Sequence, residues 1–146
     1  ASTRGLARSQ YNLGKMYAVG FGVEQNQSEA FKWIMMAAKS GGHQAQYNVG
    51  KMLRDGVGTD ADKRAAARWF LTAAQQGYAK AQNHIGVRLA RGDGIQRNDV
   101  EALKWLILAE KGGHPLASQN RRDLALKLTI AQRTQAKTLA EGFAPR

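Results

Sequence analysis

Apolar and small residues recur along this chain at helical spacing, and the helical stretches themselves recur every 36 residues. Ala45, Val49 and Leu53, with Gly50 beside them, fall on one face of a 3.6-residue period and predict a helix. Ala30, Trp33 and Ala37 predict a second, which returns as Ala66, Trp69, Ala73 and as Ala102, Trp105, Ala109. Between the two lies a G-x-G turn: Gly20-Phe-Gly22, Gly56-Val-Gly58 and Gly92-Asp-Gly94. Glycine supplies left-handed helix caps and freedom to reverse the chain. Gly41, Gly77 and Gly113 close the second helix. Gly14, Gly50 and Gly86 sit inside the first, where glycine costs about 1 kcal/mol against alanine. Three in register point to close helix packing, with the tryptophan of the same unit as the expected neighbour. A fixed period of this size predicts stacked helix pairs rather than one globular core.

The units are bounded at 7–42, 43–78 and 79–114 within a single repeat domain. Their second helices have Ser28, Asp60 or Asp62, and Asn98 as candidate N-caps. Residues 115–146 predict C-terminal capping helices: one starting near Pro115, and one opened by Thr129 with Gln132 as a capping box. The last helix is expected to bury Ala136, Leu139 and Ala140, with Phe143 beneath it. At the other end Ala1-Ser-Thr-Arg-Gly5 lies over Ala37-Ala-Lys-Ser-Gly41. Residues 1–5 therefore read as the end of a preceding repeat, and the chain as part of a longer protein.

The pattern A-x-x-x-L-G-x-x-Y-x-x-G-x-G-V followed by A-x-x-W-x-x-x-A-A-x-x-G resembles the Sel1-like repeat, a relative of the tetratricopeptide repeat. Leu13, Gly14, Tyr17, Gly20, Gly22, Val23, Ala30, Trp33, Ala37, Ala38 and Gly41 carry it in the first unit. Leu53 and Leu89 replace Tyr17, and Glu110 replaces the second alanine. The resemblance implies an all-α, right-handed superhelical solenoid of antiparallel helix pairs. It also implies a protein-interaction scaffold or adaptor within a larger bacterial protein, with the periplasm favoured over the cytoplasm.

Composition adds two constraints. There is no cysteine, so disulfides and thiolate sites are excluded. The net charge is +11, from 22 Lys and Arg against 11 Asp and Glu, which suits an acidic partner. The three histidines share no register, and no metal, phosphate-loop or nucleophile motif is present. Neither an enzyme nor a cofactor is expected. No apolar run approaches the ~20 residues of a membrane span.

Two surfaces remain as candidates. By alignment with tetratricopeptide repeats, first helices line a concave groove. The resemblance assigns to it Tyr11, Asn12 and Lys15; then Tyr47, Asn48, Lys51 and Arg54; then Asn83, His84 and Arg91. A protein or peptide is the expected partner, bound by a monomer without turnover. The same Tyr-Asn positions could instead tie repeats together by hydrogen bonds. The other surface is a basic row, Lys32, Arg68 and Lys104, one residue before each tryptophan, which offers nucleic acid or an acidic surface as the alternative partner.

Overall fold

The computed structural model describes residues 3–146. It contains eight α-helices: α1 (Thr3–Val19), α2 (Gln27–Lys39), α3 (His43–Asp55), α4 (Lys63–Gln75), α5 (Ala79–Arg91), α6 (Asp99–Lys111), α7 (Ala117–Ala125) and α8 (Ile130–Glu141). No strand occurs among the described residues, and no helix among them is long and apolar enough to cross a membrane. The all-α repeat fold expected from the period is the fold observed. The chain divides into two compact units, one ending at Trp69 and the other running from Phe70 to Arg146.

The 36-residue register is written into the backbone. Gly20, Gly56 and Gly92 take φ of +74°, +71° and +69°; Gly22, Gly58 and Gly94 take +75°, +74° and +76°. Gly41, Gly77 and Gly113 follow at +96°, +94° and +84°. Residues with a Cβ rarely adopt this left-handed region, so both turns of every repeat depend on glycine. Each G-x-G turn is followed by a link back to its own first helix. The amides of Asn26, Asp62 and Asn98 donate to the carbonyls of Tyr17, Leu53 and Leu89.

Those three residues are also the caps of the second helices. Asn26 accepts from the Glu29 amide, Asp62 from Ala65 and Asn98 from Glu101, each at 3.1 Å. Ser28 is therefore not the cap of α2: it lies inside the first turn, and the period through Asp62 and Asn98 lands on Asn26. A further periodic set, Gln10, Gln46 and Gln82, is buried. Gln46 Nε2 donates to the Ala38 carbonyl at 3.1 Å, and Gln82 Nε2 to that of Ala74 at 3.2 Å. Each adds a side-chain donor to a carbonyl in the last turn of the preceding helix, which the turn amide of Gly41 or Gly77 also reaches, at 3.1 and 3.0 Å.

In the first unit α2 packs against α1 and α3. Its buried residues are Ala30, Ile34, Ala37 and Ala38, while Trp33 is only half-buried. Successive helical residues are turned by ~100°, so a face centred on Ala30, Ile34 and Ala38 leaves Trp33 at its edge. A Cβ on Gly14 would stand 2.5 Å from Ile34 Cγ1 and 3.2 Å from the Ala30 carbonyl. In the second unit a Cβ on Gly86 would stand 2.9 Å from Leu106 Cδ2. The expected partner of the helix glycines was the tryptophan; the observed one is the residue after it. Ile34, Phe70 and Leu106 are one period apart and all buried.

Also in the second unit, α6 is packed by α5, α7 and α8. The Thr129–Gln132 capping box opens α8 as expected. Ala136 and Ala140 are buried, but Leu139 is exposed, because it turns away from the face they share. Phe143 packs against Trp105 in a T-shaped pair. Pro115 lies in the turn before α7 rather than in its first helical turn. At the start of the chain Ala1 and Ser2 lie outside the described residues. Thr3 to Gly5 belong to α1, so Gly5 does not form a turn of the Gly41 kind.

Candidate functional site

The first helices of the first unit, α1 and α3, are joined by a side-chain bond across one period. Asn48 Nδ2 donates to the Tyr11 hydroxyl. On the same helices Lys15 Nζ lies 5.2 Å from the centroid of the Tyr11 ring, and Lys51 Nζ lies 4.9 Å from that of Tyr47. Each is an i,i+4 pair in which an ammonium faces a tyrosine ring, an arrangement worth about 0.5–1 kcal/mol at exposed sites. Arg54 holds both oxygens of Asp55, with Nε and Nη2 each at 2.9 Å. The Asp55 carboxylate raises its pKa, so the guanidinium stays charged while its donors are occupied. Asn12 is exposed beside Tyr11.

The second unit repeats part of this scheme. Asn120 Nδ2 of α7 donates to Asn83 Oδ1 of α5 at 3.0 Å, the same 37-residue separation as Asn48 and Tyr11. Sequence reasoning omitted Asn120, although it lies one period after His84. His84 stacks on the Phe70 ring, with centroids 4.9 Å apart and planes at 20°. Asn83 is buried, and Arg91 is exposed at the end of α5. Of the ten groove candidates, then, Tyr11, Asn48 and Asn83 hold repeats together. Lys15, Lys51, Asn12 and Arg91 present donors at or near the surface.

The basic row is less uniform than its spacing suggests. Lys32 is exposed and 3.8 Å from Glu29. Lys104 Nζ is 2.8 Å from Glu101 and lies 4.2 Å from the centroid of the Trp105 ring. Its side chain is only 16% exposed, so its charge is largely committed within its own helix. Arg68 is exposed on α4. Among the described residues no group of three or more His, Asp or Glu could hold a metal ion.

The periodic turns, caps and glycine contacts describe one unit three times over, and a family model described as the Sel1 repeat matches residues 7–42, 43–78 and 79–114. The chain belongs to the Sel1 repeat family. Sel1 repeat proteins generally act as protein-interaction scaffolds and are typically not catalysts. A Sel1 repeat protein from Oxalobacter formigenes is similar in fold, with a TM-score of 0.77 and 32% identity over 80% of this chain and 88% of that one. A second crystal structure is of c5321, a protective antigen of uropathogenic Escherichia coli strains with the same repeat fold. It gives a TM-score of 0.65 at 28% identity, covering 95% of this chain and 38% of that one. A search of curated proteins finds no match. Within the Sel1 frame, the G-x-G glycines are structural positions, since all six take positive φ.

Proposed function

We propose that this Sel1 repeat chain is a non-catalytic adaptor that holds an acidic, extended segment of a partner protein on its first helices. In the first unit the face consists of Tyr11, Asn12 and Lys15 on α1 with Tyr47, Asn48, Lys51 and Arg54 on α3. In the second unit Asn83, His84 and Arg91 on α5 are its counterparts. The observation that carries this reading is the repeated Tyr–Lys pair. Two ammonium groups, each resting on a tyrosine ring, are held one repeat apart by the Asn48–Tyr11 bond. Preset cations bind carboxylates with less ordering cost than freely rotating lysines do. The net charge of +11 adds long-range attraction for an acidic segment.

Selection of displayed random peptides against the full chain tests this. Enriched sequences should be acidic, and their binding should drop at least tenfold in the Lys15→Glu/Lys51→Glu double variant while the melting temperature is retained. Neutral or basic binders, or acidic ones indifferent to the double variant, sink the proposal. Nucleic-acid binding through Lys32, Arg68 and Lys104 has less support, because Lys104 and Lys32 already pair with glutamates of their own helices. Retention of an oligonucleotide at ~150 mM salt, with a steep salt dependence, would restore it.

A further inference from the structure

The chain after α8 folds back over the second unit. Phe143 forms a T-shaped pair with Trp105, with centroids 5.4 Å apart and planes at 74°. Pro145 lies against the turn at Gly77, where an added Cβ would stand 3.4 Å from Pro145 Cγ and 3.5 Å from Cβ. The Arg146 amide donates to the Gln75 carbonyl at 2.8 Å. The contacts suit such a segment. Two aromatic rings meet in a T-shaped pair, a proline has its φ already set and no amide to satisfy, and one amide meets a carbonyl left open at a helix end.

Every element that receives this segment is periodic. One period earlier, Trp69 replaces Trp105, Gly41 replaces Gly77 and Lys39 replaces Gln75, all within the first unit. The turn geometry is preserved, with φ of +96° at Gly41 and +94° at Gly77. Occupancy differs. A Cβ on Gly41 would meet nothing within 4 Å. Trp69 is half-buried, whereas Trp105 is 3% exposed. We propose that Trp69 and the Gly41 turn form a second docking site, on the second-helix side of the first unit, for an extended Phe-x-Pro segment of a partner protein. The residue after the proline is acidic, because the exposed Lys39 stands one period before Gln75, whose backbone carbonyl receives the Arg146 amide. The chain's own tail is not the occupant. It is tethered directly to α8 and seated at Trp105, where its effective concentration is high.

The site is separate from the first-helix face, and the experiment keeps the two apart. The full isotope-labelled chain is titrated with the amidated peptides Ala-Glu-Gly-Phe-Ala-Pro-Glu, Ala-Glu-Gly-Phe-Ala-Pro-Arg and Ala-Glu-Gly-Ala-Ala-Pro-Glu, and followed by amide and indole NMR shifts. The first peptide should give saturable shifts at the Trp69 indole and the Gly41 amide. The second should bind several-fold more weakly, and the peptide without phenylalanine should give no saturable shift there. The Lys15→Glu/Lys51→Glu variant should behave like the wild type. The proposal is overturned if the first peptide gives no shift at Trp69 and Gly41, or if its shifts fall on Trp105 and Gly77. It is also overturned if the phenylalanine makes no difference, and a tighter arginine peptide overturns the acidic assignment.

Discussion

Gly86 and Leu106 meet with no room for a side chain between them: a Cβ on Gly86 would stand 2.9 Å from both Cγ and Cδ2 of Leu106, and 3.2 Å from the Ala102 carbonyl. Gly14 and Ile34 stand in the same relation one unit before the middle repeat. The bare Cα lets the two helices of a repeat approach, and the branched side chain behind the tryptophan fills the space.

Gly86→Ala sets helix propensity against packing. Alanine favours the helix by about 1 kcal/mol, while overpacking costs about 1–3 kcal/mol. Because Cγ of Leu106 and a backbone carbonyl both crowd the new methyl, a net loss of about 1–2 kcal/mol is expected by urea melting. In a Leu106→Ala background the loss should shrink or reverse, since the obstructing atoms are gone. Additive effects of the two substitutions would mean the glycine answers to something other than this contact.

The tryptophans should not rank as the repeat order suggests. Repeat order alone ranks Trp69, in the middle repeat with a neighbour on either side, first of the three, but Trp105 is the buried one, covered in part by Phe143. Trp105→Ala should cost about 3–5 kcal/mol and Trp69→Ala clearly less. Beside it, Phe70→Ala should cost more than Trp69→Ala, since Phe70 is 1% exposed. A Trp69 variant as damaging as either would show that the indole, not its neighbour, anchors the repeat.

Asn26→Ala should cost about 1 kcal/mol, the ordinary value of a lost N-cap. Ser28→Ala, two residues away, should stay within about 0.5 kcal/mol. Thermal melts of the two variants decide between them, and equal effects would contradict the cap geometry.

Asn48→Ala breaks the bond to Tyr11, so it should lower stability by about 0.5–1.5 kcal/mol. For that reason it tests the binding face poorly, and the lysines test it better. A double-mutant cycle with Tyr11→Phe should show the two losses to be non-additive.

His114 gives a pH signature. Its Nδ1 accepts the Leu116 amide at 3.2 Å. Burial, and then Lys80, push its pKa below the ordinary histidine value of 6.5. The folded state therefore prefers the neutral ring. The stability this contributes is present above pH ~6.5 and is lost as pH falls through the lowered folded value. His114→Asn should flatten the fall in melting temperature just below pH ~6.5. An unchanged slope there would show that His114 is not the source of that sensitivity. The Ser118 hydroxyl and Arg121 hold the Glu110 carboxylate below its usual range, so its contribution is lost only at lower pH.

The sequence by itself determined the repeat, its 36-residue register, the glycine turns and the capping box at Thr129, because these depend on residue type at fixed local spacing. Glycine tolerates φ near +70° far better than residues with a Cβ, and a cap lies within three residues of what it caps. The tertiary structure decided what lies between neighbouring elements. Trp33 and Ile34, or Trp69 and Phe70, are adjacent apolar residues whose directions differ by ~100°. Periodicity marks both, and only the position of the facing helix shows which one is buried. The partners of Tyr11 and Asn83 were likewise open until the helices were in place, since each lies 37 residues from the group it meets. The basic row also read as uniform along the chain. It lost that uniformity when Lys104 turned onto Glu101 and Trp105, a choice made by side-chain packing rather than by spacing.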